Sequence, residues 1–242
     1  DSEGYDLLGL ITGSEGLLCV ITEVTVKILK SPPTVKAALI GFSTIEDGGN
    51  CVSDIIASGI IPSGMEMMDK ALIHATDDFV KAGYPRDAEA MLIVELDGTE
   101  IEVNELIGKV DKIAKKNKSS SIKISKNEKQ RLKFWAGRKA AFPACGDLSP
   151  DYYCMDGTIP RGKLAQVLKE IGRLSKKYNL PVANAFHAGD GNLHPLIMYD
   201  ANEKNALEKT EKFGADILKY CVKIGGVLTG EHGVGVEKRE LM

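Results

Sequence analysis

The chain has 242 residues, of which 43% are hydrophobic and 27% are charged, a composition that suits one large or two small globular domains with a buried core. A total of 31 Lys and Arg residues against 34 Asp and Glu residues gives a net charge of −3, without long blocks of either sign. Nucleic acid is therefore not an expected partner, because no basic stripe with interleaved aromatic residues is present, and no apolar run approaches the roughly 20 residues of a transmembrane segment.

The cysteines and the two ends of the chain indicate the cellular compartment and the extent of the protein. The cysteines are odd in number, widely spaced and without a C-x-x-C motif, which indicates reduced thiols and a cytoplasmic protein. They are Cys19, Cys51, Cys145, Cys154 and Cys221. Residues 240–242 fall within a helical pattern and the chain opens on Asp1, so we expect a fragment that is cut at both ends from a longer protein.

The first predicted elements are a tight turn at residues 12–16 and a strand over 20–28, in which alternate positions are apolar. Ser31-Pro32-Pro33 ends this strand, because consecutive prolines cannot continue a hydrogen-bonded ladder. We place a domain boundary there, which divides the chain into residues 1–30 and 31–242.

Strands and helices alternate beyond this boundary, and several helix starts are visible. Thr44 is a suitable helix cap, and Thr99 with Glu102 predicts a capping box. Apolar residues at helical spacing mark the later helices. The expected strands are 35–42, 61–68, 88–96, 119–125, 152–160, 181–186, 193–199 and 227–229, and the expected helices are 45–58, 70–81, 103–114, 128–142, 164–174 and 207–224.

This order corresponds to β-α-β-β-α-β twice, the order of the ferredoxin-like plait. We therefore expect an α+β fold, a duplicated ferredoxin-like plait with antiparallel sheets and helices on one face. The two halves share the order of their elements, and residue-level identity between them is not visible.

A predicted hairpin brings two of the four histidines together. Asp190-Gly191 lies between two apolar extended runs, which is a strong hairpin signal. If these are the two turn residues, His187 lies directly opposite His194, with Cβ atoms roughly 4.5–5.5 Å apart. Two imidazoles at that distance can share one metal ion, and Zn, Fe or Mn would suit them. The alternative is two unrelated histidines.

Gly230-Glu231-His232-Gly233 forms a second glycine-rich segment near the C-terminus. Neighbouring side chains on an extended segment point to opposite faces, so Glu231 and His232 are expected to have different roles. One can join a metal site while the other faces a substrate. The alternative is an ordinary turn with a solvated Glu-His pair.

Two further stretches carry candidate binding residues. Arg138 follows the only tryptophan, Trp135, on a predicted helix, and its planar guanidinium suits a bidentate grip on a carboxylate. The alternative is a core tryptophan beside a surface arginine. Residues 12–16, Thr-Gly-Ser-Glu-Gly, are either a plain turn or a loop whose backbone N–H groups hold a phosphate.

Together these segments resemble the C-terminal part of the FAD-linked oxidases of the vanillyl-alcohol oxidase superfamily, most of all the branch of glycolate oxidase FAD subunits and D-lactate dehydrogenases. The motifs that carry the resemblance span most of the chain. They are TGSEGLLCVITE (12–23), WAGRKAAF (135–142), LSPDYYCMDGTIPR (148–161), HAGDGNLHP (187–195) and TGEHGVGVEK (229–238).

The resemblance implies that residues 1–30 are the tail of an FAD-binding lobe and that residues 31–242 are the C-terminal cap domain. It implies a divalent metal on His187, His194 and Glu231, a substrate-facing base in His232 and a carboxylate-binding Arg138. The implied backbone contacts to FAD are Gly13, Ser14, Gly16 and Ile21. Leu17 and Cys19 depart from the family's usual Thr and Gly, and Leu196 replaces a polar residue of the 2-hydroxyglutarate branch, which argues for a smaller substrate.

The function that the resemblance implies is oxidation of a small D-2-hydroxy acid, such as glycolate or D-lactate, to the 2-oxo acid. An iron–sulfur electron-transfer subunit is an implied partner, and it would allow a peripheral position at a membrane. We expect the chain as given to be inactive and to bind FAD weakly. The alternatives are a plait-type module that binds a metal and a small acid without redox chemistry, and a metal-dependent hydrolase.

Overall fold

The computed structural model describes residues 4–242 and contains one antiparallel sheet of eight strands. The strands are β1 (Thr34–Phe42), β2 (Gly64–Asp69), β3 (Ala90–Gly98), β4 (Ser119–Ile124), β5 (Asp151–Cys154), β6 (Gly157–Thr158), β7 (Val182–His187) and β8 (Asn192–Tyr199). The helices are α1 (Leu7–Ile11), α2 (Ile45–Ala57), α3 (Lys70–Val80), α4 (Glu100–Lys116), α5 (Glu128–Lys139), α6 (Ala141–Ala144), α7 (Leu164–Tyr178), α8 (Ala206–Lys223) and α9 (Gly235–Lys238).

The strand order confirms the duplicated plait. In the first half the strands lie in the order β4-β1-β3-β2, with α2 and α4 as the connecting plait helices. In the second half β7, β8 and β5 follow, β6 also pairs with β8, and Thr158 forms a bridge with Val227. The two plaits are joined edge to edge through β2 and β7, so they share one continuous sheet.

The sheet is covered on both faces, and β1 illustrates how. Six consecutive residues of this strand are buried, because alternate side chains point to opposite faces and enter two different cores. Ala38, Ile40 and Phe42 pack in the larger core with the four plait helices α2, α4, α7 and α8, as expected. Ala37 and Leu39 pack in a smaller core against α3, α5 and α6. The position of these three helices on the second face of the sheet was not predicted from the sequence.

Local sequence signals explain the best-predicted helices. Thr44 caps α2 through the backbone N–H of Asp47, and the Thr99–Glu102 capping box of α4 is present in both directions. The five apolar residues of α7 that the spacing selects are all buried, which places one stripe against the core. They are Leu164, Val167, Leu168, Ile171 and Leu174.

One buried carboxylate connects the two plaits at their junction. Asp69 ends β2, caps α3 through the N–H of Leu72 at 3.2 Å, and accepts hydrogen bonds from both the backbone N–H and the Nδ2 of Asn184 on β7, each at 2.8 Å. The only ladder pairs between β2 and β7 in the described residues are Met67 with Phe186 and Met68 with Ala185. Asp69 therefore strengthens a short strand contact.

Four element predictions were wrong in detail, and one of them is the strand 227–229, of which only the bridge at Val227 is present. Residues 20–28 form no strand, because nothing in residues 4–242 pairs with them, and the apolar side chains of Val20, Val24 and Ile28 are exposed. The expected strand 152–160 is interrupted at residues 155–156, and the helix 128–142 is divided into α5 and α6 at Ala140. For residues 20–28 the alternating pattern was present, but propensity alone does not make a strand where no neighbouring strand pairs with it.

Two other expectations concern the thiols and the membrane. All five cysteines are free, and Cys51, Cys145 and Cys221 are buried. Within the part of the chain that the structure describes, none of the helices combines the length and the apolar character needed to cross a membrane. A cytoplasmic location stays a prediction.

The buried Asp69 carboxylate predicts a pH-dependent stability. Burial raises the pKa of Asp69 to about 6 from the ordinary value of 3.8 for an aspartate. Since the folded state binds this proton more tightly, the associated stability is fully present below the unfolded pKa and is lost as pH rises through 6. We expect about 3 kcal/mol of unfolding free energy to be lost through this group between about pH 3 and pH 7.

Urea unfolding across that pH range, comparing the protein with Asp69→Asn, checks this expectation. The variant should lack this component of the pH profile, whatever its constant offset in stability. Asp87→Asn, at an exposed position, controls for the loss of one carboxylate. Parallel pH profiles for the protein and Asp69→Asn would contradict the prediction.

Candidate active site

The hairpin that carries His187 and His194 is present, but its predicted register was wrong by two residues. His187 pairs with Asn192, and Ala185 pairs with His194, so the loop is 188–191 rather than Asp190-Gly191 alone. The two histidines are therefore diagonal neighbours on the same face. Their rings still meet, with centroids 5.0 Å apart and planes at 86°.

Contacts from distant strands explain the longer loop. The N–H of Gly189 donates to the carbonyl of Met65 at 3.0 Å, and the N–H of Ile159 donates to the carbonyl of Gly191 at 2.9 Å. Gly191 has a φ of 77°, and a Cβ there would lie 2.2 Å from the Ile159 carbonyl oxygen. The loop is closed locally by the N–H groups of Asp190 and Gly191, which both donate to the His187 carbonyl at 3.1 Å, and it is held from outside by Met65 and Ile159.

The three residues that were predicted as metal ligands lie close together. The Nε2 atoms of His194 and His187 lie 2.8 Å and 3.3 Å from Oε1 of Glu231. His194 is almost fully buried, His187 is half-buried and Glu231 is exposed. One potential ligand atom from each of the three residues lies within 4.8 Å of the other two, which is close enough to share one ion.

The segment that carries Glu231 is curled around one carboxylate. Oδ2 of Asp156 accepts hydrogen bonds from the N–H groups of Gly230, Glu231 and His232 at 2.8, 3.1 and 2.9 Å, and from the hydroxyl of Thr229 at 2.6 Å. These bonds hold the pKa of the buried Asp156 far below its usual range, although burial opposes them. The carboxylate therefore fixes the backbone of the segment as a small anion-binding nest.

The expectation that Glu231 and His232 point to opposite faces was wrong, because this segment is not extended. The ring of His232 stacks on His194, with centroids 5.1 Å apart and planes at 18°. Both neighbours therefore reach the same imidazole. Gly230 allows this approach, since a Cβ there would lie 2.4 Å from Oδ1 of Asn192.

Glu66 is a site residue that the sequence reasoning missed. Its Oε1 lies 2.8 Å from Nδ1 of His187, and its Oε2 accepts a hydrogen bond from Nε of Arg138 at 2.9 Å. The hydrogen bond to Glu66 raises the pKa of His187 above its ordinary value, although burial opposes the shift. Arg138 lies in the interior beside the site, and its Nη2 is buried without a hydrogen-bond partner among the described residues.

His194 has a different outer contact. Its Nδ1 lies 3.9 Å from Sγ of Cys154. Burial raises the pKa of the Cys154 thiol to about 12. Burial and the neighbouring His187 lower the pKa of His194. The two histidines thus direct Nε2 toward Glu231, while each Nδ1 faces a different side chain.

The predicted FAD contacts lie apart from this cluster. Gly13, Gly16 and Ile21 are exposed, Ser14 is half-buried, and all four line a concavity of about 490 Å³. The N–H of Ser14 already donates to the carbonyl of Ile11 at 3.2 Å, so its hydroxyl is the group left for a ligand.

The same turn is tied to the C-terminal segment through one side chain. The carboxylate of Glu15 accepts hydrogen bonds from the N–H groups of Val234 and Gly235 at 2.5 and 2.8 Å. Residues 12–16 therefore contact the chain directly after His232.

Signals for the missed residues were present in the sequence but weak. Glu66 is the one carboxylate among the apolar side chains of Met65, Met67 and Met68, and a buried charge in such a strand is unusual without a partner. Asp156 stands within the motif at 148–161, at the point where the predicted strand breaks. Nothing local in the sequence identifies the partners of either residue.

Residues 31–242 match the family described as FAD linked oxidases, C-terminal domain, and the chain belongs to this family. Glycolate oxidase subunit GlcD of Escherichia coli (strain K12) is 56% identical over 238 residues, which cover 98% of this chain and 48% of that protein. GlcD of Bacillus subtilis (strain 168) is 37% identical, covering 98% and 51%. The mitochondrial D-lactate dehydrogenase (cytochrome) 1 of Saccharomyces cerevisiae is 31% identical, covering 100% and 42%.

The chain thus spans about half the length of these curated relatives. Among solved structures, an alkyldihydroxyacetonephosphate synthase aligns with a TM-score of 0.66 at 18% identity, covering 94% of this chain and 46% of that one. A p-cresol methylhydroxylase aligns with a TM-score of 0.60 at 15% identity, covering 82% and 45%. At these identities the structures establish a common fold. The resemblance seen in the motifs is confirmed.

Glu66 should control the titration of His187. In metal-free protein, Glu66→Gln should lower the pKa of His187, because the carboxylate that favours its charged form is removed. Histidine ring resonances followed by NMR across pH check the direction. Glu95→Gln is a matched control, since that carboxylate is held by Arg131 and Trp135. An unchanged His187 titration in Glu66→Gln would contradict the assigned contact.

Proposed function

We propose that the protein containing this chain oxidises a small D-2-hydroxy acid, glycolate or D-lactate, to the corresponding 2-oxo acid with FAD as cofactor. Membership of the FAD-linked oxidase family supports the cofactor, and the names of the relatives support the substrate class. The observation that carries the proposal is the convergence of His187, His194 and Glu231 beside His232. Arg138 is linked to the same cluster through Glu66.

A divalent metal fits the first three of these residues. Both imidazoles offer Nε2 to the space next to the Glu231 carboxylate, and two nitrogens with one carboxylate oxygen suit Zn, Fe or Mn. Histidine ligands usually make an outer contact through the other ring nitrogen, and here Glu66 and Cys154 face those nitrogens. When bound, the metal would supply Lewis acidity toward the substrate hydroxyl.

Arg138 is proposed to bind the substrate carboxylate. Its Nε is held by Glu66 while Nη2 has no partner in the described structure, and a buried guanidinium nitrogen without an acceptor is costly. A substrate carboxylate at Nη2 would satisfy it. Because Glu66 contacts both Arg138 and His187, one side chain sets the carboxylate site and a metal ligand relative to each other.

His232 is proposed as the general base that takes the hydroxyl proton. Its ring is exposed and stacks on His194, so it lies beside the proposed metal ligands while remaining open to substrate. FAD, when bound, supplies the acceptor for the hydride that leaves C2. Leu196, two residues beyond His194, is fully buried in the smaller core and offers no polar partner to a second acidic group of a substrate.

We further propose that residues 1–30 belong to the FAD-binding lobe and residues 31–242 to the cap. Gly13, Ser14, Gly16 and Ile21 are the proposed FAD contacts of this chain, and their open concavity supports that role. Two relatives are named as subunits of a glycolate oxidase, which supports a partner protein that takes up the electrons. An iron–sulfur subunit is our candidate.

The base assignment is tested in the intact flavoprotein. His232→Ala should leave FAD bound and should abolish bleaching of the flavin absorbance by glycolate or D-lactate under anaerobic conditions. His74→Ala is the matched control, because His74 contacts the Arg86 carbonyl on another part of the surface. Normal bleaching in His232→Ala would remove His232 from the mechanism.

The metal assignment has an independent readout. Glu231→Gln should lower metal affinity by at least roughly tenfold, since a ligand loses its charge, and metal content after dialysis against a chelator measures this. Asp190→Asn removes an exposed carboxylate from the same hairpin and should retain the metal. Equal metal content in Glu231→Gln and the unmodified protein would exclude the proposed ligand set.

A further inference from the structure

Cys154 joins two histidines of the candidate active site in a second cluster. Its Sγ lies 3.9 Å from Nδ1 of His194, and the ring of His232 stacks on His194. One ligand atom from each of Cys154, His194 and His232 lies within 4.8 Å of the other two. Cys154 has no role in the proposed oxidation beyond its contact with His194.

The chemistry of this cluster differs from that of the first. It offers one sulfur and two imidazole nitrogens, whereas His187, His194 and Glu231 offer two nitrogens and a carboxylate oxygen. Thiolate ligands favour zinc and softer ions, while carboxylates favour harder ions such as Mn²⁺. The two clusters therefore differ in the cations that they prefer.

The two clusters share His194, so they cannot both hold a cation while this histidine is neutral. His194 directs Nε2 to Glu231 and Nδ1 to Cys154. A neutral imidazole carries a proton on one nitrogen and offers only the other as a ligand. A cation that binds Nδ1 therefore withdraws His194 from the cluster with His187 and Glu231, and it also occupies His232.

The geometry points to an inhibitory cation site formed by Cys154, His194 and His232, which takes a thiophilic divalent ion such as Zn²⁺. As the sulfur–zinc bond forms, the thiol proton passes to solvent and no redox change occurs. Inhibition rests on the proposed function, because it acts by removing the proposed base and one proposed metal ligand. Binding of zinc to sulfur does not depend on that function.

Zinc X-ray absorption on the intact protein, preloaded with Mn²⁺ and given one equivalent of Zn²⁺, tests the site directly. We expect one sulfur at about 2.3 Å in the zinc coordination shell. Cys154→Ser should lose that sulfur, whereas Cys19→Ser, which removes an exposed thiol, should keep it. A zinc coordination shell of nitrogen and oxygen only in the unmodified protein would overturn the proposal. This outcome is read from the unmodified protein, so it does not depend on whether a variant folds.

Inhibition is measured separately, with glycolate or D-lactate as substrate and zinc as the inhibitor. Cys154→Ser should raise the zinc concentration for half-inhibition by at least roughly tenfold, since even outer contacts of metal sites typically contribute 10–100-fold in affinity. Unchanged zinc sensitivity in this variant would overturn the inhibitory role. If the unmodified protein oxidises neither acid while zinc still gains a sulfur, the proposed function fails and the cation site stands.

Discussion

The candidate active site depends on the hydrogen bonds that one oxygen of Asp156 receives. Three consecutive backbone N–H groups and the Thr229 hydroxyl donate to it, and the ammonium of Lys238 donates to the Asp156 carbonyl at 2.6 Å. Without this acceptor, the three N–H groups of Gly230 to His232 would have no common hydrogen-bond partner to hold them in this arrangement. Glu231 and His232, although adjacent in sequence, both reach His194 because their backbone is curved around this charge.

The fold places the second anchor on the other plait. Glu66 lies on β2, at the edge where the first half of the sheet meets β7 of the second half. Its two oxygens contact His187 and Arg138, so the duplicated architecture brings a carboxylate from one plait to a histidine from the other. The candidate site is therefore built across the junction of the two plaits, and the small ladder between β2 and β7 sets the position of Glu66 relative to His187.

Sequence alone predicted what local physics determines. The capping box at Thr99, the apolar stripe of α7 and the order of the elements depend on residues close in the chain, and each is present. The hairpin was located correctly, but its loop is two residues longer than predicted and also bonds to Met65 and Ile159, which no turn rule includes. Glu66 and Asp156 were missed for the same reason, since their partners lie up to 121 and up to 82 residues away. A single sequence contains the residues of the site without the distances between them.

The two hydrogen bonds of Glu15 couple the position of a turn near the N-terminus to that of a segment near the C-terminus. Its carboxylate joins the turn at residues 12–16 to Val234 and Gly235, which directly follow the segment held by Asp156. A displacement of that turn must either move this segment or break both bonds. A ligand that binds the turn more tightly while these two bonds are intact would therefore also favour the observed position of Val234 and Gly235, and the reverse holds equally. Although residues 20–28 pair with no strand in the described part of the chain, the stretch before β1 is thus anchored at one turn to the far end of the chain.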